Sequence, residues 1–430
     1  MSIISNKEQL ATNPLRKDAL EILEAGYAAI DTEKVLRKKI LFDGQTLCVT
    51  ELPSLSYCLS FYERIFFIGI GKCAYDGAKV IEEILGDKLT DGIAIDVKGG
   101  PLKKIRSYVG THPYPSEVNI SITEQVLGMI KGVTEKDLIL VLVSGGGSSL
   151  FCLPHNMSIE TLVNITKTLT QKGADIYELN TVRKHFSEIQ GGGLAKFCYP
   201  AQVVSLIFSD VLGNDIGMVA SGPTVYDKTT VADAAMILMK YDVLSTCIPQ
   251  DCQFLETPKH PKYFVNVKNF LVSSNRNALD AMKTKAEELG YRADIETTAL
   301  SGNASEIGKN LAMGEPREKS CLLLGGETTV KVNGDGIGGR NQELALSALP
   351  HMKPDSLLVS VSSDGWDNTD HAGALADIEL LEKAKAKNLS PEEYLKRSDS
   401  YNFFKNVEDG AISTGRMGSN VSDLYIMLYK

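Results

Sequence analysis

The sequence predicts a two-domain α/β protein, and three observations carry that prediction. Apolar runs of six or seven residues alternate with amphipathic stretches along the chain. The runs are continuous rather than alternating, which suits strands covered on both faces. At 430 residues the chain is too long for one ordinary core, and a polar stretch with three prolines, "IPQDCQFLETPKHP" (248–261), interrupts the pattern. A boundary there gives 1–255, a larger Rossmann-like three-layer α/β/α sandwich, and 256–430, a smaller α/β domain.

Asn13-Pro14 reads as an N-cap with proline at the first helical position, opening an amphipathic stretch to about Ile40. Strands follow at "RIFFIGI" (64–70), "DGIAIDV" (91–97), "DLILVLV" (137–143) and "QVVSLIF" (202–208). Helices are expected between them, among them Tyr75–Leu85 and Ser116–Ile130. A second series begins after the boundary, with strands at "NFLVSS" (269–274), "CLLLGG" (321–326), "SLLVSV" (356–361) and "DLYIML" (423–428).

Composition excludes several classes. A hydrophobic fraction of 43% and a charged fraction of 23% are ordinary for a soluble globular chain. No apolar run approaches the ~20 residues of a membrane span, and "MSIISNKEQLATNPLRK" carries no apolar core of a secretory signal. The eight cysteines (48, 58, 73, 152, 198, 247, 252, 321) form no CxxC pair, so reduced thiols in a cytoplasm are expected, without a structural zinc site. A net charge of −9 gives no global footprint for nucleic acid.

In open α/β sheets, ligands bind beyond the carboxyl ends of the strands. The segments there are "GIGKCA" (69–74), "SGGGSS" (144–149), "SDVLGND" (209–215), "GGETTV" (325–330) and "SSDGWDNTD" (362–370), all rich in Gly, Ser, Asp or a single Lys. Tips of this kind on both sides of the boundary predict one cleft lined from both domains. In the second segment, Gly145, Gly146 and Gly147 let backbone N–H groups approach a ligand, and Ser144, Ser148 and Ser149 flank them, as a phosphate or carboxylate site requires. "GIGKCA" matches G-x-G-x-x-A, with Asp96 near the position of a ribose-binding acid, while Lys72 within the turn suggests direct contact with an anion. "GNASEIGKN" (302–310) misses the spacing of a Walker A loop. In "GDGIGGRNQELAL" (334–346), Arg340 and Asn341 offer a guanidinium fork and an amide at a helix start. Asp210, Glu327 and Asp364 are acids at strand tips, where a carboxylate and phosphates together hold Mg²⁺. His112 and His185 are further candidates, each more often a structural residue.

Eight motifs in order, "GIGK", "THPYP", "SGGGSSL", "NTVRKHFSEIQGGGLA", "SDVLGNDIGMVASGPT", "GGETTVKVNGDGIGGRNQELAL", "SSDGWDNTDHAGA" and "TGRMGSNVSDL", closely resemble the glycerate 2-kinases with a C-terminal MOFRL domain. The resemblance runs from about Asn13 to the C-terminus. It implies ATP-dependent phosphorylation of D-glycerate at its 2-hydroxyl with Mg²⁺ or another divalent cation, and a MOFRL-type second domain. Carried over by motif, Lys72 and Arg340 are catalytic or substrate-anchoring, and Asp210 and Asp364 are the motif acids. Asp210 doubles as the simplest acceptor for the hydroxyl proton, and both acids as metal ligands. Ser144–Ser149, Glu327 and Asn341 fall on the nucleotide side. The expected partners are D-glycerate and ATP, with no nucleic acid or membrane; a homodimer is compatible with the chain. Three features depart from the family pattern. Gln190 and Gly193 stand where Lys and Arg are common. The 362–374 segment lacks a proline, has Asn368 for Gly and gains His371. Ser116 replaces a common Asp. Two other readings stay open: an NAD(P)-dependent hydroxypyruvate reductase using "GIGKCA", and a non-catalytic binder of sugar acids or phosphates.

Overall fold

The computed structural model describes residues 2–51, 54–243, 253–315 and 318–430. The 248–252 part of the expected linker, with Cys252, and the neighbouring Cys247 lie outside the described residues. The chain forms two compact units, Val35–Val272 and Met1–Lys34 with Ser273–Lys430. This differs from a division at 255/256 in two respects: the break falls later, and the first helix belongs with the C-terminal half.

In the Val35–Val272 unit six strands line up in the order Ile105–Val109, Asp91–Asp96, Arg64–Ile70, Asp137–Val143, Gln202–Phe208, Val267–Ser273. The first five pair in parallel. Asp137–Val143 shows why such a run is apolar throughout. Leu138, Leu140 and Leu142 enter one core while Ile139, Val141 and Val143 enter another on the opposite face. Ile70 registers with Val143, and Val143 with Ile207, so the chain leaves three adjacent strands side by side at one edge. "NFLVSS", expected in the second domain, lies in the last strand of this sheet, with Phe270 and Val272 buried in its core. A separate antiparallel sheet of Ile40–Phe42, Thr46–Val49 and Leu55–Cys58 escaped prediction because its strands are too short to show a period.

The second sheet runs Arg292–Asn303, Ser320–Thr329, Asp423–Tyr429, Ser356–Ser362, Gly373–Asp377, Ala411–Ile412. Its first pair is parallel and the rest are antiparallel. A continuous apolar run reports burial on two faces, not strand direction. One of those faces is covered by helices Pro14–Ile30 and Asn275–Glu288. Asn13 caps the first of these, accepting from the Arg16 N–H at 2.9 Å, and the helix stops at Ile30 rather than Ile40, with Thr32–Lys39 starting anew. Leu20, Ile22, Leu23, Tyr27 and Ile30 are fully buried, each burial worth ~1.5–3 kcal/mol. The two helices approach so closely at Gly26 that a Cβ there would stand 2.7 Å from Met282. Fully buried Arg16 forks onto Asp377 at 2.6 and 2.8 Å and reaches Asp409 at 2.9 Å. These contacts place the first helix in this unit.

The described cysteines are free thiols, with Cys73, Cys152, Cys198 and Cys321 buried. Among the described residues no helix is long and apolar enough to cross a membrane.

Candidate functional site

At the strand tips of the Val35–Val272 unit, "GIGK" and "SGGGSS" are laced together. The fully buried Ser144 donates its hydroxyl to the Ile70 carbonyl and accepts from the Cys73 N–H, both at 3.1 Å. The Lys72 N–H donates to Gly145 O at 3.0 Å. Gly71 has φ +104°, and a Cβ there would come within 2.4 Å of Ser144 O, so glycine is obligatory. Ser144 is therefore a brace, its hydroxyl already committed. The N–H groups of Gly145 and Gly146 donate to no group among the described residues. Gly146 has φ +79°, and a Cβ on it would lie 3.1 Å from His112 and 3.3 Å from the Lys72 side chain. The loop thus brings bare N–H donors, Lys72 and His112 together. The helix that follows, Gly147–Leu150, is a single turn. Any anion attraction here would come from the unpartnered amides of Gly145 and Gly146 and from Lys72, not from a macrodipole. Gly147 packs on Ala220, Ser148 Oγ pairs with Ser221 Oγ at 2.9 Å, and Ser149 donates to Pro113 O at 2.6 Å. Asp210, half-buried, follows the strand next to that of Ser144.

The other candidates of this unit are structural. Asp96 is fully buried and accepts from the Tyr75 and Val97 N–H groups at 3.0 and 2.6 Å. Burial pushes its pKa up to about 6 against the pull of those amides. An acid spent on the start of helix Ala74–Leu85 does not hold a ribose, which removes the main support for a dinucleotide site. His185 is fully buried between Leu255 O at 3.0 Å and Thr229 Oγ1 at 3.2 Å. Gln190 donates to Ser148 O at 3.0 Å, and a Cβ on Gly193 would meet Glu188 O at 2.2 Å, so this loop packs tightly without a larger residue.

In the other unit the tips gather acids around Arg340. Its guanidinium forks onto Asp423 at 2.6 and 3.0 Å and pairs with Glu327. Burial alone would lower its pKa, but Asp423 and Glu327 hold it above the ordinary arginine value. Three of its five N–H bonds are taken, leaving two for a ligand. Asn341 is fully buried, donating to Asp367 at 3.2 Å and accepting from Ser360 Oγ at 2.7 Å, so its contribution is to hold Asp367 rather than to reach a nucleotide. Asp367 accepts from the N–H groups of Asn341 and Gln342 at 3.1 and 2.8 Å, at the start of helix Arg340–Ala348. Burial raises its pKa to about 6. A Cβ on Gly339 would lie 2.0 Å from Asp367 O, which explains one glycine of the loop. Asp364 accepts from Ser362 Oγ at 2.7 Å and the Trp366 N–H at 3.0 Å. In the altered segment Asn368 adopts φ +58°, which asparagine tolerates, and donates to Gly338 O at 2.9 Å, while His371 meets Ser413 Oγ at 3.1 Å. The near-miss at 302–310 is the cap of a helix, Asn303 accepting from the Glu306 N–H at 3.1 Å.

Three residues were overlooked. Asp423 and Asp367 stand in quoted motifs, as the acid of "SNVSDL" and the first acid of "DNTD". Arg183, in "NTVRKHF", lines a pocket beside Ser148 and Ser149 and makes no hydrogen bond or ion pair among the described residues. A cation next to a glycine-rich loop was the signal available for it.

Residues 18–256 match the family described as domain of unknown function DUF4147, and residues 320–423 match the MOFRL family. The D-glycerate 2-kinase of Thermotoga maritima is 38% identical, covering 96% of this chain and 98% of its own. The glycerate 2-kinase of Pyrococcus horikoshii is 36% identical, covering 96% and 95%. The crystal structure of glycerate kinase from Thermotoga maritima matches with a TM-score of 0.82 and 36% identity over 96% of this chain and 99% of that one.

Proposed function

Since the chain belongs to the glycerate 2-kinase family, we infer that it transfers the γ-phosphoryl group of ATP to the 2-hydroxyl of D-glycerate, giving 2-phosphoglycerate and ADP. The observation that best supports a phosphoryl-transfer site in this chain is the braced loop where the Gly145 and Gly146 amides lie beside Lys72. Phosphoryl transfer asks a protein mainly for positioning and for charge stabilisation, which such donors supply.

In this reading the amides hold nucleotide phosphate oxygens, and Lys72 neutralises the phosphoryl group as it moves. The 2-hydroxyl oxygen attacks phosphorus, the bond to ADP breaks, and the hydroxyl proton passes to Asp210. In the other unit Arg340, oriented by Asp423, keeps two N–H bonds for an anionic group. The donor set fits a divalent cation that keeps mostly phosphate and water oxygens. Asp210 and Asp364 each bring one carboxylate, and no group of three metal-ligating side chains occurs among the described residues. Asp210, in the same unit as the bare amides, would hold the cation, whose charge would offset that of the phosphates.

The test is ADP release from ATP, Mg²⁺ and D-glycerate, with the product read through enolase alone. Signal without phosphoglycerate mutase is expected. Signal only with the mutase would overturn transfer to the 2-hydroxyl, and no ADP release would overturn the kinase reading.

A further inference from the structure

Resting on that reading, we propose that a pocket of the Val35–Val272 unit built on Arg183 and Gln190 takes the carboxylate end of the hydroxy-acid substrate. Pro113, Tyr114, Ser148 and Ser149 share its lining, so the pocket opens beside the loop of bare amides. No Asp or Glu lines it.

Two groups there lack partners. Arg183, in the last turn of helix Ile176–Lys184, makes no hydrogen bond or ion pair among the described residues, although a guanidinium carries five donors and no acceptor. Burial lowers its pKa, with Tyr114 acting the other way, as suits a cation that no carboxylate faces. Gln190 is only 3% exposed; its Nε2 is committed to Ser148 O at 3.0 Å, which leaves Oε1 turned away and unpartnered. Leaving such groups unmade costs free energy, so an occupant that satisfies both is favoured.

That occupant needs a planar oxyanion for the guanidinium fork and a hydroxyl donor for the lone amide oxygen. A three-carbon hydroxy acid provides both in one molecule. Ser149 has spent its proton on Pro113 O, so it faces the pocket as an acceptor and reinforces the preference for a hydroxyl. The same chemistry is offered by a protonated phosphate, and steady-state kinetics separate the two.

In the Arg183→Gln variant, KM for D-glycerate should rise by about thirtyfold or more while KM for ATP stays within about twofold. Gln190→Leu should raise KM for D-glycerate by about fivefold. Calorimetric titration of D-glycerate alone supplies a readout that does not depend on turnover: binding to the wild type and its loss in Arg183→Gln upholds the pocket even if no phosphorylation is found. Arg183→Lys, which keeps the charge, should bind D-glycerate with intermediate affinity and the wild-type melting temperature. An unchanged KM for D-glycerate in Arg183→Gln overturns the proposal, and so does a rise confined to KM for ATP, which would make the pocket a phosphate site.

Discussion

The strand tips of the two units handle charge in opposite ways. In Val35–Val272 the tip collects donors: Lys72, the amides of Gly145 and Gly146, and Arg183 beyond them. In the other unit the tip collects acceptors: Glu327 and Asp423 hold the guanidinium of Arg340, Asp367 accepts from the N–H groups at the start of its helix, and Asp364 accepts from Ser362 Oγ, with Arg416 stacked on Trp366 nearby. Both tips are glycine-rich, yet glycine serves different ends. At Gly71 and Gly146 it lets two loops and a lysine converge; at Gly339 it clears the space Asp367 needs to reach the helix N–H groups. A glycine-rich loop therefore signals close approach by something, and the neighbouring side chains decide by what.

The largest expected effect separates the tips by stability. Arg340→Ala strands the fully buried Asp423 and should cost about 3–5 kcal/mol in urea unfolding. A loss below about 1 kcal/mol would show that the acid cluster does not depend on this cation. Lys72→Ala should cost activity without stability, losing at least about a hundredfold in kcat/KM, roughly 3 kcal/mol of transition-state stabilisation, with an unmoved unfolding midpoint. Near-normal kcat/KM would remove the donor tip from the chemistry.

In one respect the units are expected to behave alike. Asp96 and Asp367 are both raised by burial to about 6, so the folded state holds their protons more tightly than the unfolded chain does. Their contribution is complete below the unfolded value of 3.8 and is lost as pH rises through about 6. Each should remove about 2 kcal/mol between pH 4 and pH 7, and Asp96→Asn should flatten its share of that fall in urea titrations. An unchanged slope in the variant would assign the pH dependence elsewhere. The smallest effect isolates geometry from stability. Gly146→Ala and Gly44→Ala, both at positive φ, should each cost about 1 kcal/mol, but only the former, crowding His112 and Lys72, should reduce turnover. Equal activity in the two would detach the loop's shape from catalysis.

Sequence patterning anticipated the strands 64–70, 137–143 and 202–208 residue for residue, because each near-continuous apolar run, buried on both faces, is set off by a polar first residue, Arg64, Asp137 or Gln202. It misjudged what depends on distant partners. Nothing local in Pro14–Ile30 tells which sheet the helix covers; Asp377 and Asp409 decide that. Arg340 and Lys72 were legible as cations in glycine-rich turns, whereas Asp423 looked like an ordinary strand-start acid until pairing set it against Arg340. Asp96 was in the right place for a ribose ligand and in the wrong orientation, a distinction that spacing does not encode.

The placement of the first helix has a consequence for biosynthesis. Arg16 finds Asp377 only 361 residues further along the chain, and Val35–Val272 is synthesised entirely in between. On the ribosome the middle unit can complete its core while the N-terminal helix, carrying Leu20, Leu23 and Tyr27, still waits for its own sheet. A helix made before the middle unit is thus buried only after it, and until then its apolar face stays open to other partners.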